Sequence, residues 1–431
     1  MEDLNPVNRV NQPARLKAAY VLLRFPCLTE TFVAEEMQKM QAAGVEIFIY
    51  SLLAARDKLV QPVSATLLPL TRTAPGLLHP SLWTAQFHYL FRSARTYINL
   101  LGTLMKQPAP RRSFLFKRLA AFLKSVWIAR DLERRQVDLI HTHFAWLAAA
   151  AGWIAGSLVE VPFTVTAHAY DIYSEKNDLL SLAAVKAARV ITISQKNRQA
   201  IHELVRGLPE AKVQVIHCGV DLDYFTYQPD ESPAGSVPVQ ITSVGSLIDK
   251  KGHEYLIRAC AILKQQAIPF HCQIIGAGEL EPKLSALIIK LGLEGMVSLA
   301  GKRSQDQVKD RLAGSDIFIL ACVRTSNADQ DGIPVAMMEA LAMGVPVIST
   351  PVSGIPEMIT HENTGLLVAE RDPEAIARAV MRLLQDNELR ETMRLQGRLL
   401  VEREYSITAN VEQLKHILFQ VAAEKGRRGE G

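Results

Sequence analysis

The 431-residue sequence contains no apolar stretch long enough to cross a membrane. Its longest uncharged apolar run, residues 144–159, is rich in alanine and falls short of the roughly 20 residues that a spanning helix needs. The amino-terminal segment MEDLNPVNRVNQPARLK is polar and has no apolar signal core. We therefore expect a cytoplasmic protein in which residues 144–159 form a buried helix. Any membrane contact is expected to be peripheral, on the inner face of the plasma membrane.

Cysteine is also scarce, with five residues that form no C-x-x-C pair. This usage is typical of reduced thiols in a cytosol and argues against a metal cluster. Nucleic-acid-binding patterns are missing as well, because the net charge is only +4 and no zinc-finger, RNP or basic-zipper motif is present. We expect no nucleic-acid partner.

Acidic residues are absent from residues 58–130. Basic and aromatic side chains are interleaved there, namely Arg72, Trp83, Phe87, Tyr89, Phe91, Arg92, Arg95, Lys106, Arg111, Arg112, Phe114, Phe116, Lys117, Arg118, Phe122 and Lys124. Two interpretations are open. The segment is either a basic face that rests on an anionic membrane surface or a solvated helical surface around buried aromatic residues.

The length exceeds what one hydrophobic core usually supports, so two domains are expected. The first half alternates strands and helices, beginning with the strand AAYVLLRF, a helix at residues 31–43 and the strand VEIFIYSL. Further strands are predicted in DLIHTHF, PFTVTAH, RVITIS and KVQVIH. Because helices separate successive strands, the sheet is expected to be parallel.

A stretch rich in Pro, Ser and Gly, YFTYQPDESPAGSVP, interrupts this pattern and is typical of a linker. A second alternating series follows, with strands in VQITSVG, HCQIIG, MVSLAG, DIFILA and VPVIST. The predicted organisation is a first domain at residues 1–225, a linker at 226–238, a second domain at 239–404 and a helix at 405–431 that returns to the first domain. The fold class is α/β, with two doubly wound Rossmann-like domains.

Polar and glycine-rich segments follow the predicted strands, among them LTET, AHAYD, GSLIDKKG, GAGE and CVRTSNADQDGIP. Ligands of open parallel sheets bind beyond the carboxyl ends of the strands. If two such sheets face each other, these segments border one cleft. We therefore expect an active site between the domains.

Two turns of the second domain suit a diphosphate. Lys250, Lys251 and Gly252 follow a strand and precede a helix, where a lysine can reach a phosphate that also meets helix amides. Gly276 and Gly278 mark another turn at which the backbone can approach a diphosphate or a base. Each signal alone is also compatible with an ordinary surface turn.

The strongest pattern is DGIPVAMMEALAMGVPV, which begins at Asp331. Pro334 suits a first helical turn. Asp331 and the amides of Gly332 and Ile333 are therefore expected at a helix amino terminus. Glu339 lies about a turn and a half further along, so that one carboxylate can accept from sugar hydroxyls and the other from a ribose.

With these motifs the chain resembles glycosyltransferase family 4, the retaining enzymes of the GT-B fold. The resemblance also covers FPCLTETF at residues 25–32, HTHF at 141–144, HAYD at 168–171 and GVD at 219–221. It is most similar to the branch of colanic acid and amylovoran type that serves bacterial exopolysaccharide synthesis. The implied reaction moves a sugar from a nucleoside diphosphate sugar to a lipid-linked or other oligosaccharide acceptor, with no metal or other cofactor.

The resemblance also implies roles for single residues, with Lys251, Asp331 and His168 as the catalytic group. Lys251 would grip the donor diphosphate with Lys250 beside it, and Glu339 would bind the ribose. Asp331 and His168 would contact the donor sugar near the reacting carbon. The remaining donor-side candidates are Gly276, Gly278, Gly332, Ile333 and Pro334. The acceptor-side candidates are Thr29, Glu30, Thr31, His143 and Asp171.

Two positions depart from the family pattern. Ser246 stands where an arginine is usual, so Arg324 is a candidate to supply the missing charge. Asp331 is one methylene shorter than the usual glutamate. These departures keep open the alternative that the chain is a non-catalytic or weakly active sugar-nucleotide-binding partner of a polysaccharide assembly complex. A GT-B epimerase or phosphorylase is a further alternative. The D-x-D of Asp221 and Asp223 follows a strand of the first domain and is not expected to bind a metal.

Overall fold

The computed structural model describes residues 15–28, 30–56, 59–108, 112–174, 179–227 and 238–429. These residues form two parallel β-sheets, the first with seven strands and the second with six, and helices connect the strands. The predicted α/β class with two doubly wound domains is confirmed.

The first sheet has the strand order β3-β2-β1-β4-β5-β6-β7. Its strands are β1 Lys17–Arg24, β2 Glu46–Leu53, β3 Thr71–Thr73, β4 Leu139–His143, β5 Phe163–Ala167, β6 Arg189–Thr192 and β7 Val213–Val215. The helices of the first domain are α1 Thr31–Ala42, α2 Pro62–Leu67, α3 Pro80–Arg92, α4 Ala94–Met105, α5 Arg112–Arg135, α6 Leu147–Val159, α7 Ala169–Tyr173, α8 Leu180–Lys186 and α9 Gln195–Leu204. The strand order reverses between β1 and β4, which is where a doubly wound sheet opens a crevice.

The second sheet has the order β10-β9-β8-β11-β12-β13 and reverses between β8 and β11. Its strands are β8 Val239–Val244, β9 Phe270–Ile275, β10 Val297–Leu299, β11 Ile317–Leu320, β12 Val347–Ser349 and β13 Leu366–Leu367. The helices that follow the linker are α10 His253–Gln265, α11 Glu281–Lys290, α12 Gln305–Ala313, α13 Val335–Ala342, α14 Ile355–Met358, α15 Pro373–Gln385, α16 Asn387–Glu404 and α17 Ile407–Gly429. Every strand expected from the sequence is present, and the short edge strands β3 and β13 are additional.

Helix α6 is the buried helix that the alanine-rich run predicts, and its small residues let it lie close to the sheet. A Cβ at Gly152 would lie 2.5 Å from Thr142 Cγ2, and a Cβ at Gly156 would lie 2.5 Å from the carbonyl oxygen of Val161. In the described part of the chain, no helix combines the length and apolarity needed to span a bilayer.

The structure of the acid-free segment, residues 58–130, agrees only in part with each of the two interpretations, a basic outer face and a solvated helical surface. Arg118 is buried and donates to the carbonyl oxygens of Gln107 and Pro108, and Lys124 Nζ donates to the carbonyl oxygen of Leu52 at 2.6 Å. These two basic residues satisfy buried carbonyl groups and therefore do not contribute to an outer face. Arg111 lies outside the described residues.

Other basic residues of the segment pair with acids just beyond it on α5. Arg92 lies 2.5 Å from Glu133, and Arg72 lies 2.6 Å from Asp131. The aromatic residues divide as well: Tyr89, Phe114 and Phe122 are buried, whereas Trp83, Phe87, Phe91 and Phe116 are exposed. Helices α3 and α5 thus present apolar rings outward as well as inward.

The chain returns from the second domain to the first through α17. The backbone N–H of Val220 donates to the carbonyl oxygen of Tyr405 at 2.8 Å, and the N–H of Ile407 donates back to Val220 at 3.1 Å. A Cβ at Gly219 would lie 2.3 Å from Ile407 Cα, so this close crossing requires glycine. Beyond it, α17 packs on α1 and shares one buried apolar cluster with that helix.

Candidate active site

The carboxyl ends of the strands of both sheets border one cavity of about 430 Å³. The first domain contributes the segments after β1, β4, β5 and β6, and the second domain contributes those after β8, β9 and β10 together with the start of α13. Most residues expected from the sequence line it: Glu30, Thr31, His168, Ser246, Lys250, Lys251, Gly276, Asp331, Gly332, Ile333, Pro334 and Glu339. The expected interdomain cleft is therefore present.

Several candidates lie elsewhere. Thr29 lies outside the described residues. Gly278 packs one loop on another, because a Cβ there would lie 2.4 Å from the carbonyl oxygen of Leu247. Arg324 donates from Nε to Gln330 at 3.3 Å and is not among the described residues that border the cavity.

Lys251 and Asp331 form an ion pair on the second-domain wall. Burial raises the pKa of Asp331, but the charges of Lys251 and Lys250 outweigh it and hold that pKa below its usual value. Burial likewise lowers the pKa of Lys251, and Asp331 reverses that effect. Both groups are charged at neutral pH, and Lys250 pairs separately with Asp329 at 3.1 Å.

A left-handed glycine brings Lys251 to this position. Gly252 has φ +67°, and a Cβ there would lie 1.7 Å from the carbonyl oxygen of Ala321. The turn that carries Lys251 can therefore lie directly against the end of β11. The close approach to Ala321 therefore explains why a glycine follows the two lysines in the sequence.

Glu339 faces a second buried acid across the cleft. Glu35 of α1 accepts from Gln305 Nε2 at 2.5 Å, and the backbone N–H of Gln305 donates to Gln61 Oε1 at 3.1 Å. Burial raises the pKa of Glu339 to about 8, and the charge of Glu35 acts in the same direction. Burial also raises the pKa of Glu35 to about 7. The two domains therefore meet here through a hydrogen-bonded cluster whose two carboxyl groups keep their protons to higher pH than a free glutamate does.

His168 forms the opposite wall and is 6% exposed. Burial lowers the pKa of this imidazole to about 3, and His143 acts in the same direction. The ring is therefore neutral. It contacts Phe32 and Phe144, with ring centroids 5.2 Å and 4.6 Å away.

His143 and Asp171 lie beneath the cleft wall and not on it, each being 1% exposed. Asp171 accepts from the backbone N–H groups of Ala145 and His168, both at 2.9 Å, and so joins the loops after β4 and β5. Burial raises the pKa of Asp171 to about 7. Neither residue is among the described residues that line the cavity, and their assignment to the acceptor side stays a prediction.

Within the part of the chain that the structure describes, one cluster has ligand atoms close enough to hold a metal ion, namely Glu36, His141 and His143, with those atoms within 4.8 Å of one another. All three side chains already have protein partners: Glu36 accepts from Tyr20 at 3.1 Å, and His141 Nδ1 lies 2.8 Å from Thr164 Oγ1. A metal would have to displace this network.

The D-x-D motif lies at the domain crossing. Asp221 pairs with Lys39 at 2.7 Å and accepts from the backbone N–H of Asp223 at 3.1 Å. Asp221 therefore fixes a turn and anchors α1.

Sequence reasoning missed several residues that face the cavity. Lys302 and Arg303 follow β10 and border it. Both are exposed, and Arg303 donates to the carbonyl oxygen of Lys302 at 3.4 Å. Their position after a strand end was a usable signal. Glu35 and Gln305 gave no such signal, since 270 residues separate them.

Comparisons with known proteins agree with this geometry. Residues 29–224 match the model described as Glycosyltransferase Family 4, and residues 228–399 match the model Glycosyl transferases group 1. Among curated proteins, the amylovoran biosynthesis glycosyltransferase AmsK of Erwinia amylovora is 30% identical over 94% of this chain and 100% of its own length. WcaL of Escherichia coli (strain K12), named for colanic acid biosynthesis, is 30% identical over 84% of this chain and 89% of its own.

Solved structures share the fold. HepE of Anabaena in complex with UDP and glucose aligns with a TM-score of 0.70 and 16% identity, covering 94% of this chain and 99% of that one. Sucrose-phosphate synthase of Thermosynechococcus elongatus aligns with a TM-score of 0.71 and 19% identity over 95% and 100% of the two chains.

Proposed function

Since this chain belongs to glycosyltransferase family 4 and is a transferase of the GT-B fold, we propose that it moves a glycosyl unit from a nucleoside diphosphate sugar to a saccharide acceptor in exopolysaccharide biosynthesis, with retained anomeric configuration. The observation that carries the proposal is the position of Lys251, Asp331 and Glu339 on one wall of the cavity, opposite His168.

The donor would lie along the second domain. Its diphosphate takes Lys251, its ribose hydroxyls donate to Glu339 and its sugar hydroxyls donate to Asp331. Diphosphate binding would draw Lys251 away from Asp331 and leave that carboxylate free to accept. HepE, which has the same fold, is in complex with UDP and glucose, and this supports a sugar nucleotide as the donor.

Transfer breaks the bond between the anomeric carbon and the diphosphate oxygen, which keeps the electron pair. The acceptor oxygen forms its bond to that carbon on the same face, and its proton goes to the departing phosphate oxygen. Lys251 and the amides at the start of α13 would stabilise the growing negative charge in a cleft that excludes water. These groups supply positive charge without a metal, which is why we propose none.

The acceptor would be lipid-linked and would reach the first domain at an anionic membrane surface. Trp83, Phe87 and Phe91 recur at helical spacing on α3 and are 44%, 57% and 88% exposed. On α5, exposed Phe116 follows exposed Arg112 by four residues. Exposed rings beside basic residues suit an interfacial position on the cytoplasmic leaflet.

The experiment has two arms. Thermal-shift measurements with UDP-, GDP-, ADP- and TDP-sugars identify the donor base, and the best donor is then incubated with and without a lipid-linked acceptor. Release of nucleoside diphosphate that depends on the acceptor is the expected result. Donor binding without turnover would support a binding partner, and turnover without acceptor dependence would support an epimerase or phosphorylase.

His168→Ala gives a second test of the same site. It should lower the transfer rate by about a hundredfold while nucleotide affinity stays nearly unchanged, because the ring faces the sugar position and not the base. Unchanged turnover would remove His168 from the reaction.

A further inference from the structure

A chain of hydrogen-bonded side chains leads from α1 to the cleft wall. Glu36 Oε1 lies 3.1 Å from His143 Nε2, and His143 Nδ1 lies 3.3 Å from His168 Nε2. His143 is 1% exposed, and only His168 reaches the main cavity. Glu36 thus acts on the cleft through two rings, although it does not border the cleft itself.

The fold brings these groups together at the point where the first sheet reverses. His141 and His143 alternate along β4 and so point to the same face of the sheet, toward α1. Tyr20 of β1 donates to Glu36 at 3.1 Å and fixes the carboxylate from the neighbouring strand. His168 follows β5, the next strand along, so three adjacent strands support one carboxylate.

The charge state of Glu36 determines which ring atoms carry protons. Burial raises the pKa of Glu36, but His143 and His141 outweigh burial and hold it below its usual value. An ionised carboxylate only accepts, so the His143 nitrogen that faces it, Nε2, carries a proton. If Nδ1 of His143 accepts at the 3.3 Å contact with Nε2 of His168, that atom of His168 carries the proton of the ring.

We propose that Glu36 is a positioning residue for glycosyl transfer, which through His143 holds His168 as a neutral ring with its proton on Nε2. The inference rests on the proposed function, because the role of His168 at the donor sugar does. The arrangement has a chemical purpose. The reacting carbon becomes positively charged as the diphosphate leaves, and a carboxylate behind two rings stabilises that charge without being able to attack the carbon.

The first test measures proton positions and needs no substrate. Nitrogen-15 NMR of the histidine rings, assigned with His143→Asn and His168→Asn, should find both rings protonated on Nε2 in the wild-type protein. Glu36→Gln should change the tautomer of His143, because an amide can donate to Nε2 as well as accept. A wild-type ring protonated on Nδ1, or tautomers unchanged by Glu36→Gln, would overturn the proposal.

The second test separates turnover from binding with the donor found in the sugar-nucleotide panel. Glu36→Gln should lower kcat by about ten- to a hundredfold, as loss of an outer partner of a functional histidine does, and leave the Kd of the nucleoside diphosphate within about twofold. Glu36→Asp should restore part of the rate because it restores the charge. Met37→Leu, a change of similar volume at the next buried position of α1, serves as the packing control.

The outcomes distinguish this inference from the proposed function. If wild-type protein turns over no donor, the proposed function fails, whereas the NMR test still decides the proton positions. If wild-type protein is active and Glu36→Gln has the same kcat, Glu36 does not position His168 for transfer, and the proposed function stands.

Discussion

Lys251 has two partners in the proposed cycle, Asp331 in the free protein and the donor diphosphate in the complex. Lys251→Ala should weaken nucleoside diphosphate binding by about 30-fold or more, since a charge-assisted contact of ~2 kcal/mol is lost in a partly closed site. Calorimetric titration measures this. Lys264→Ala is the matched control, because Lys264 donates to the carbonyl oxygen of Gly292 away from the cavity. Equal affinity of Lys251→Ala and wild type would contradict the phosphate position.

Ser246 stands where an arginine is usual. Arg303 borders the cavity and Arg324 does not, so Arg303 is the better candidate to supply the missing positive charge. We expect Arg303→Ala to weaken nucleoside diphosphate binding by about fivefold, a modest loss because the side chain is exposed. Arg324→Ala should have a smaller effect. Ser246→Arg should tighten binding and rescue Arg303→Ala. The same calorimetric series compares all of these variants, and a larger effect at Arg324 than at Arg303 would reverse this assignment.

Glu339 should lose a proton when the ribose binds. Its pKa of about 8 leaves the carboxyl mostly protonated at pH ~7, whereas two ribose hydroxyls donate best to a carboxylate. Titrations at pH ~7 in buffers of different ionisation enthalpy should show a release of about half to one proton per nucleotide relative to Glu339→Gln. Proton release that is identical in the variant would exclude Glu339 as its source.

The same two carboxyls should make stability fall as pH rises. The folded chain keeps protons on Glu35 and Glu339 up to about 7 and 8, whereas the unfolded chain loses them near the ordinary value of 4.5. The native state therefore binds more protons across this window, and the unfolding free energy declines with pH. Glu35→Gln with Glu339→Gln should flatten the decline between pH ~5 and ~8 in thermal unfolding, and an unchanged slope would contradict the assigned protonation.

Helix α3 has the geometry that a membrane contact needs, because its exposed rings repeat every four residues, and α5 adds the exposed ring of Phe116. Phe87→Ser with Phe91→Ser should reduce co-sedimentation with vesicles containing anionic lipid by about tenfold, and salt should weaken the remaining binding. Leu395→Ser with Leu399→Ser on α16 is the control, since these exposed apolar residues belong to the other domain. Binding that ignores lipid charge and both ring substitutions would favour the solvated-surface interpretation.

The elements that sequence predicted well are those with local signals. Buried parallel strands are often continuous apolar runs, so β11, with the sequence IFIL, was recognisable from composition alone. Lys251 and Asp331 follow strand ends, and their motifs are local too. The burial of Arg118 was not predictable from the sequence, and neither were the ion pairs with the acids of α5. In both cases the partners become neighbours only when the helices pack.

The same limit applies to the site as a whole. The cleft residues of the second domain could be predicted from one motif. The contacts of Glu35 with Gln305 and of Glu36 with His143 could not, because they depend on helix packing between distant segments. Long-range pairs of this kind have no spacing rule in the sequence. The buried position of His143 was missed for this reason.

The two domains are joined at more places than the linker. Glu357 of α14 accepts from the backbone N–H groups of Gln195 and Lys196, both at 2.8 Å, so a carboxylate of the second domain caps helix α9 of the first. Together with the contact of Gln305 to Glu35, this cap holds the cleft from two sides.

Helix α17 makes the core of the first domain depend on residues beyond the second. Leu418→Ala should cost about 2 to 5 kcal/mol, because this side chain is fully buried beside α1. Scanning calorimetry should therefore find the first domain melting several degrees lower, with nucleoside diphosphate binding kept at temperatures below that transition. Leu395→Ala, at a half-exposed position of α16, is the control, and equal melting of both variants would contradict the role of α17.

This crossing also sets an order of events during synthesis. Met37 and Met40 leave the ribosome early, yet their buried cluster includes Val411, Leu414 and Leu418. The domain that is made first therefore cannot complete its core until the whole of the second has been translated. In the interval the apolar face of α1 that α17 later covers stays exposed to solvent.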